Sequence, residues 1–256
     1  MVSNRGGRLG GGNCSLFVLV ISGGLFVCRR KPPMSRLFAV ARSLEEIVDH
    51  FKVDVSNAEA VPSETIEGTT GLVVIEKDGV RRLKSLTWGF PRQTSEMRHQ
   101  GEPPGRIGLV ADLTNRLWES TVVDPQYRCL IPITYFANPD GPKGAKTRAW
   151  FSLHRQRLTA WAGFCRNTRE FGPVFAGMTM AANELIRPFN DRMPVFLAPD
   201  EYDRWLHCGI RDVIEFQFRD PPPGEQFEVL QTHDLWRSGV SPPPRPYTAH
   251  SGRPIS

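Results

Sequence analysis

The sequence predicts a single α+β domain, mainly antiparallel and barrel-like, with a few short helices. Three observations predict it. Short apolar or alternating segments outnumber amphipathic helical ones, Asp78-Gly79 sits between two of them as a hairpin turn, and no strand–helix–strand repetition points to a doubly wound sheet. With 40% hydrophobic residues among 256, the chain has material for a substantial core.

The domain is placed at residues 34–236, between an N-terminal extension (1–33) and a Pro-rich tail (237–256), both expected to be disordered. The extension carries Arg5, Arg8, Arg29, Arg30 and Lys31 with no acid, around an apolar run from Ser15 to Cys28 that Gly23-Gly24 interrupts. That outline resembles a signal-peptide core, but the run is too short and broken to span a membrane and lacks a clean small-residue cleavage site. We prefer to read it as an extension upstream of a start at Met34. With its five cations set aside, the formal charge of +5 falls to zero. The sequence pI of 9.1 is therefore no nucleic-acid signature by itself, and a basic groove has to come from placement. Cys14, Cys28, Cys129, Cys165 and Cys208 are odd in number, without CxxC spacing or a His pair. This argues for a reducing, cytoplasmic setting with no disulfide framework, no metal and no cofactor.

In chain order, a first strand is expected from Arg36 to Ala41. Ser43-Leu44-Glu45-Glu46 has capping-box spacing, so a short helix follows through Ile47, Val48, His50 and Phe51. A loop rich in Ala, Ser, Pro and Glu leads to a hairpin of Leu72 to Glu76 and Val80 to Trp88, running out at Trp88-Gly89-Phe90-Pro91. Arg92 to Arg106 is polar and reads as a loop. Further strands are expected at Ile107 to Val110, Tyr127 to Ala137, Thr147 to Leu153, Leu158 to Phe164, Phe175 to Met180, Met193 to Leu197 and Phe227 to Leu230. A helical turn at Glu184 to Ile186 and a helix from Pro199 to His207, with Asp200, Glu201 and Asp203 near its start, complete the set.

Few residues in these elements carry chemistry. Trp88 and Pro91 place an aromatic plane beside a rigid turn, which suits either a stacked base or an ordinary core tryptophan. Asn115-Arg116 offers an amide beside a cation, fit for a sugar and a phosphate or for a plain loop. Cys129, within Arg128-Cys129-Leu130-Ile131-Pro132, reads as a small buried hydrophobe. Arg192 is a phosphate ligand or the ion-pair partner of Asp191.

Taken in order, these blocks resemble the SRAP family of SOS-response-associated peptidases, or abasic-site processing proteins. The resemblance rests on Met34-Ser35-Arg36-Leu37-Phe38-Ala39, Ser43-Leu44-Glu45-Glu46-Ile47, Trp88-Gly89-Phe90-Pro91, Thr114-Asn115 and Arg128-Cys129-Leu130-Ile131-Pro132. It continues through Trp161-Ala162-Gly163-Phe164, Met178-Thr179-Met180-Ala181-Ala182-Asn183 and Asp191-Arg192-Met193-Pro194-Val195-Phe196-Leu197, and so covers most of the chain between the flanks. It implies a β-rich domain that binds single-stranded DNA at abasic sites and crosslinks to them through an N-terminal cysteine. An Asn, a Glu after the RCLIP-like strand and a His before the DRMP-like block would complete the site. Amine and thiol together trap the sugar aldehyde as a thiazolidine, while carboxylate and imidazole move protons.

This sequence departs from that set at three of the four positions: Ser35 replaces the cysteine, Asn138 the Glu and Asn190 the His, while Asn115 is kept. A hydroxyl is a far poorer nucleophile than a thiolate near neutral pH, and an amide exchanges no protons. The expectation is a monomeric damage-response protein that binds single-stranded or abasic DNA, with crosslinking and peptidase chemistry lost. Arg116, Arg128 and Arg192 would meet phosphate, Trp88 and Pro91 the base stack, and Asn115 the sugar. Two alternatives stand beside it: an amine-dependent lyase, if Ser35 is the first residue, and a non-catalytic module recruiting a repair protein. No membrane partner is expected.

Overall fold

The computed structural model describes residues 18–21, 24–27, 37–58, 60–154 and 158–243, in two units, 1–35 and 36–256. Ser35 and the tail beyond residue 243 lie outside the described residues. In the first unit, Val18–Ile21 pairs antiparallel with Gly24–Val27.

The second unit opens with β1 (Leu37–Ala39) and α1 (Leu44–Phe51). The helix starts as its sequence demands: the Ser43 hydroxyl accepts from the Glu46 N–H at 3.2 Å, and the Glu46 carboxylate accepts from the Ser43 N–H at 2.8 Å. Short strands β2 (Val55–Ser56) and β3 (Thr65–Ile66) precede the hairpin of β4 (Thr70–Lys77) and β5 (Val80–Trp88). Its turn has φ of 56° at Asp78 and 72° at Gly79, the left-handed pair that an Asp-Gly turn supplies.

The stretch expected as a loop is ordered instead. β6 (Phe90–Arg92) pairs with β7 (Gly105–Ile107), and between them lies α2 (Ser95–His99), capped by Thr94 Oγ1 accepting from the Met97 N–H at 3.1 Å. Because α2 buries no residue, it has no apolar stripe to read. Next come β8 (Leu109–Val110) and α3 (Glu119–Val122), then β9 (Arg128–Ile133) and β10 (Tyr135–Asp140). These last two replace the single strand expected over 127–137. The break is Thr134, whose N–H donates to the Ala39 carbonyl at 2.9 Å while its hydroxyl accepts from the Ala41 N–H at 3.1 Å. There the chain passes from one sheet to the other.

Strands β11 (Thr147–Leu153), β12 (Thr159–Thr168) and β13 (Gly172–Ala181) follow. The helical turn expected at Glu184 to Ile186 is a turn closed by the Ile186 N–H on Asn183 Oδ1 at 3.0 Å. After β14 (Arg192–Pro194) and β15 (Phe196–Leu197), the chain ends in α4 (Tyr202–His207), α5 (Ile210–Phe218) and β16 (Phe227–Leu235). Beyond residue 236, Ser241 Oγ donates to the Ser63 carbonyl at 2.6 Å.

β5, β4, β9, β12 and β13 pair in that order, and β13 returns to β5 by a parallel match of Val174 with Thr87 and Phe175 with Trp88. Each of the five is thus paired on both sides, as in a closed barrel. A second sheet runs β16-β11-β10-β1-β3. Phe38 of β1 joins the two, its ring edge-on to Trp88 at 5.1 Å, Trp161 at 5.7 Å and Phe175 at 6.4 Å. All four rings are buried, each contributing about 2 kcal/mol by leaving water. The mainly antiparallel α+β architecture agrees with the fold class read from the sequence.

Candidate functional site

Two residues singled out in the sequence meet directly. Asn138, near the end of β10, and Asn190, in the turn before β14, share a hydrogen bond in which Asn190 Nδ2 donates to Asn138 Oδ1 at 3.0 Å. Asn190 Oδ1 in turn accepts from the main-chain N–H of Arg192 at 3.1 Å. The pair sits beside the start of the domain, because β1 sets Leu37 opposite Ala137, the neighbour of Asn138.

Arg192 ties this corner to the rest of the site. Its Nε donates to Thr179 Oγ1 at 3.2 Å, and its Nη2 donates to the carbonyls of Ala111, at 3.1 Å, and Thr179. Nη1 has no partner among the described residues. Partial burial pulls the Arg192 pKa below the ordinary arginine value, against the opposing charge of Asp191, and the group stays cationic. Ala111 opens the loop that carries Asn115. There Asp112 Oδ1 accepts from the Thr114 hydroxyl at 2.7 Å and the Thr114 N–H at 2.9 Å, bonds that hold its pKa below the usual carboxylate range. Asn115 and Arg116 are exposed on this loop, with Asn115 Oδ1 accepting from the Leu117 N–H at 3.0 Å.

The profile of the SOS response associated peptidase (SRAP) family matches residues 34–234. The chain belongs to the SRAP family. It is 26% identical over 232 residues to the abasic site processing protein YoqW of Bacillus subtilis (strain 168), covering 83% of this chain and 98% of that protein. It is also 26% identical over 187 residues to the abasic site processing protein YoaM of the same strain, covering 66% and 78%. Among solved structures, a Bordetella bronchiseptica protein has a TM-score of 0.64 at 19% identity, covering 77% of this chain and 99% of its own. A phage-related protein of the same organism scores 0.59 at 18%, covering 80% and 99%. At such identities the likeness carries the fold alone.

Two site assignments are corrected by burial within the SRAP domain. Trp88 is 1% exposed, lies parallel to Phe175 with centroids 6.2 Å apart, and donates Nε1 to the Gly108 carbonyl at 2.8 Å. It fills the barrel and offers no face to a base. Arg128 is 2% exposed, with its guanidinium between the rings of Phe164, at 5.1 Å, and Trp205, at 5.5 Å. Its Nη2 donates to the Val122 carbonyl at 2.7 Å and Nη1 to the Asp124 carbonyl at 3.2 Å. It therefore staples the end of α3 and is out of reach of phosphate. Pro91 is half-buried, opposite Arg106 in the β6–β7 ladder. Cys129 is fully buried, and desolvation pushes its thiol pKa well up, as befits an inert core residue.

One feature of the SRAP domain escaped the sequence reading. A cavity of about 460 Å³ borders the Asn115 loop, lined by Leu113, Thr114, Val122, Ile214 and Phe218. Its far wall is α5, which ends in Phe218 at 74% exposure. An apolar residue left outside the core was the available signal. Among the described residues no His, Cys, Asp and Glu group could hold a metal, and no helix is long and apolar enough to cross a membrane.

Proposed function

We propose that this SRAP protein binds single-stranded DNA at abasic sites and retains the damaged strand without forming a durable crosslink or acting as a peptidase. The Asn138–Asn190 hydrogen bond carries the reading. The positions that the family resemblance assigns to a carboxylate and an imidazole hold two amides bonded to each other, and neither transfers a proton near neutral pH. Ser35 adds a hydroxyl where a thiolate would be needed. Phosphates meet exposed Arg116 and the Nη1 edge of Arg192, the sugar meets Asn115, and Pro91 packs against a flanking base. The abasic preference is supported by relatives named as abasic site processing proteins. Cytoplasmic, monomeric and cofactor-free action belongs to the same reading.

Fluorescence polarisation with abasic and intact single strands tests the binding, and a denaturing gel of the same mixtures tests the chemistry. Preference for the abasic strand with no heat-stable band is expected. Indifference to both strands at micromolar protein and low salt would overturn the binding, and a heat-stable adduct would overturn the loss of chemistry. A second reading, recruitment of a repair protein, draws on the apolar cavity under Phe218. It requires Phe218→Ser to abolish capture of such a partner from damaged cells while DNA binding persists.

A further inference from the structure

The hydrogen bonds around Asn138 have only one allowed direction. A main-chain N–H can only donate, so the Arg192 N–H fixes Asn190 with its carbonyl oxygen toward Arg192. Asn190 must then present its amino group to Asn138, whose carbonyl oxygen receives it. The Asn138 amino group is left facing away from both. The usual ambiguity of amide orientation is removed by the chain of partners itself.

That amino group is a buried donor in waiting. Asn138 is 5% exposed, and its Nδ2 has no hydrogen-bond partner among the described residues. A buried N–H normally has one, because leaving it bare is costly. The turn that closes over Asn138 is the more open side of this corner: Asn190 and Arg192 are partly exposed and Asp191 is exposed. A carboxylate at position 138 would offer an acceptor or a base, whereas the amide offers a permanent, uncharged donor.

We infer that Asn138 is a specificity-determining donor whose Nδ2 hydrogen-bonds the C1′ oxygen of the opened or hemiacetal abasic sugar. The inference rests on the abasic-DNA reading above and deepens it. A neutral oxygen fits best: a phosphate would bring a full charge to a buried donor that is itself uncharged, whereas Arg116 and Arg192 offer phosphates a cation. The ligand is thus told from an intact nucleotide by an oxygen, reached in the space where a base would otherwise be attached.

The test compares four single strands by fluorescence polarisation with the full chain at pH 8. One carries a natural abasic site, one its borohydride-reduced C1′ alcohol, one the tetrahydrofuran analogue lacking the C1′ oxygen, and one is intact. The natural and reduced sites are expected to bind about tenfold more tightly than tetrahydrofuran. The reduced site cannot react with an amine, so its affinity isolates the hydrogen bond from any covalent step. Asn138→Asp keeps an acceptor for Asn190 Nδ2 but replaces the free donor with an acceptor, and it is expected to bring the preference within twofold. Equal binding of all three abasic strands by the unaltered protein, above the intact strand, overturns this inference and leaves the abasic reading standing. A preference that survives Asn138→Asp also overturns it. Binding to none of the four overturns both.

Discussion

Gly177 lies so close to the indole of Trp161 that a Cβ built on it would sit 2.0 Å from Cζ2 and 2.1 Å from Cε2. The indole cannot retreat, because its Nε1 donates to the Met178 carbonyl at 2.6 Å and its ring packs edge-on against Phe38 and Trp88. Gly177→Ala is expected to destabilise the domain by about 3 kcal/mol, seen as a lower urea midpoint. An unchanged midpoint would show that the barrel interior yields more easily than this packing requires.

Two arginines that look alike in the sequence should separate by assay. Arg128→Met orphans the Val122 and Asp124 carbonyls and is expected to cost about 3 kcal/mol of stability, with the salt dependence of DNA binding unaltered. Arg116→Ala, on the exposed loop, should leave stability within about 0.5 kcal/mol and reduce the slope of log affinity against log salt by about 0.7. The reverse pattern would return Arg128 to the DNA.

His50 should make the domain acid-sensitive. Burial, opposed by the charge of Asp49, lowers its pKa from 6.5, and its Nε2 lies 3.0 Å from the Tyr202 hydroxyl. The folded state therefore favours the neutral ring, and below about 6.5 the unfolded chain takes up the proton first. This stabilisation is complete above that value and is lost as pH falls through the lower folded-state pKa. Urea midpoints at pH 7.5 and 5.5 should drop more for the unaltered protein than for His50→Gln. Parallel drops would exclude His50 as the source.

Restoring the reactive groups should restore the chemistry. In a chain beginning at residue 35, Ser35→Cys, Asn138→Glu and Asn190→His together are expected to yield a heat-stable adduct with abasic single strands, while Ser35→Cys alone yields far less. Failure of the triple variant, with its fold verified by circular dichroism, would show that the site has drifted beyond these three positions.

What could be read from the sequence followed local chemistry. Ser43 with Glu46, and Asp78 with Gly79, act through near neighbours, so spacing alone located a helix start and a hairpin. Where a residue's role depends on distant partners, the reading divided. Trp88 and Arg128 carry the polar atoms of binding residues, and only the placement of Phe175, Phe164 and Trp205 around them decides for the core. Asn138 and Asn190 were identified as substituted positions, but their mutual bond joins residues on different elements and has no trace in spacing. α5 went unseen because Ile214 and Phe218 lie on its exposed side and blur the apolar face formed by Val213 and Phe216.

The parallel seam between Phe175 and Trp88 bears on how Arg192 is held. The strand that closes the ring there also carries Thr179, the anchor of Arg192. Side chains alternate along a strand, so a slip of one residue at the seam would turn Thr179 to the opposite face and release Arg192 together with its contact to Ala111. The grip on Arg192 thus reports on the register of the whole ring. On the reading proposed above, a chain whose ring has not closed in register has no fixed Arg192 to offer a damaged strand.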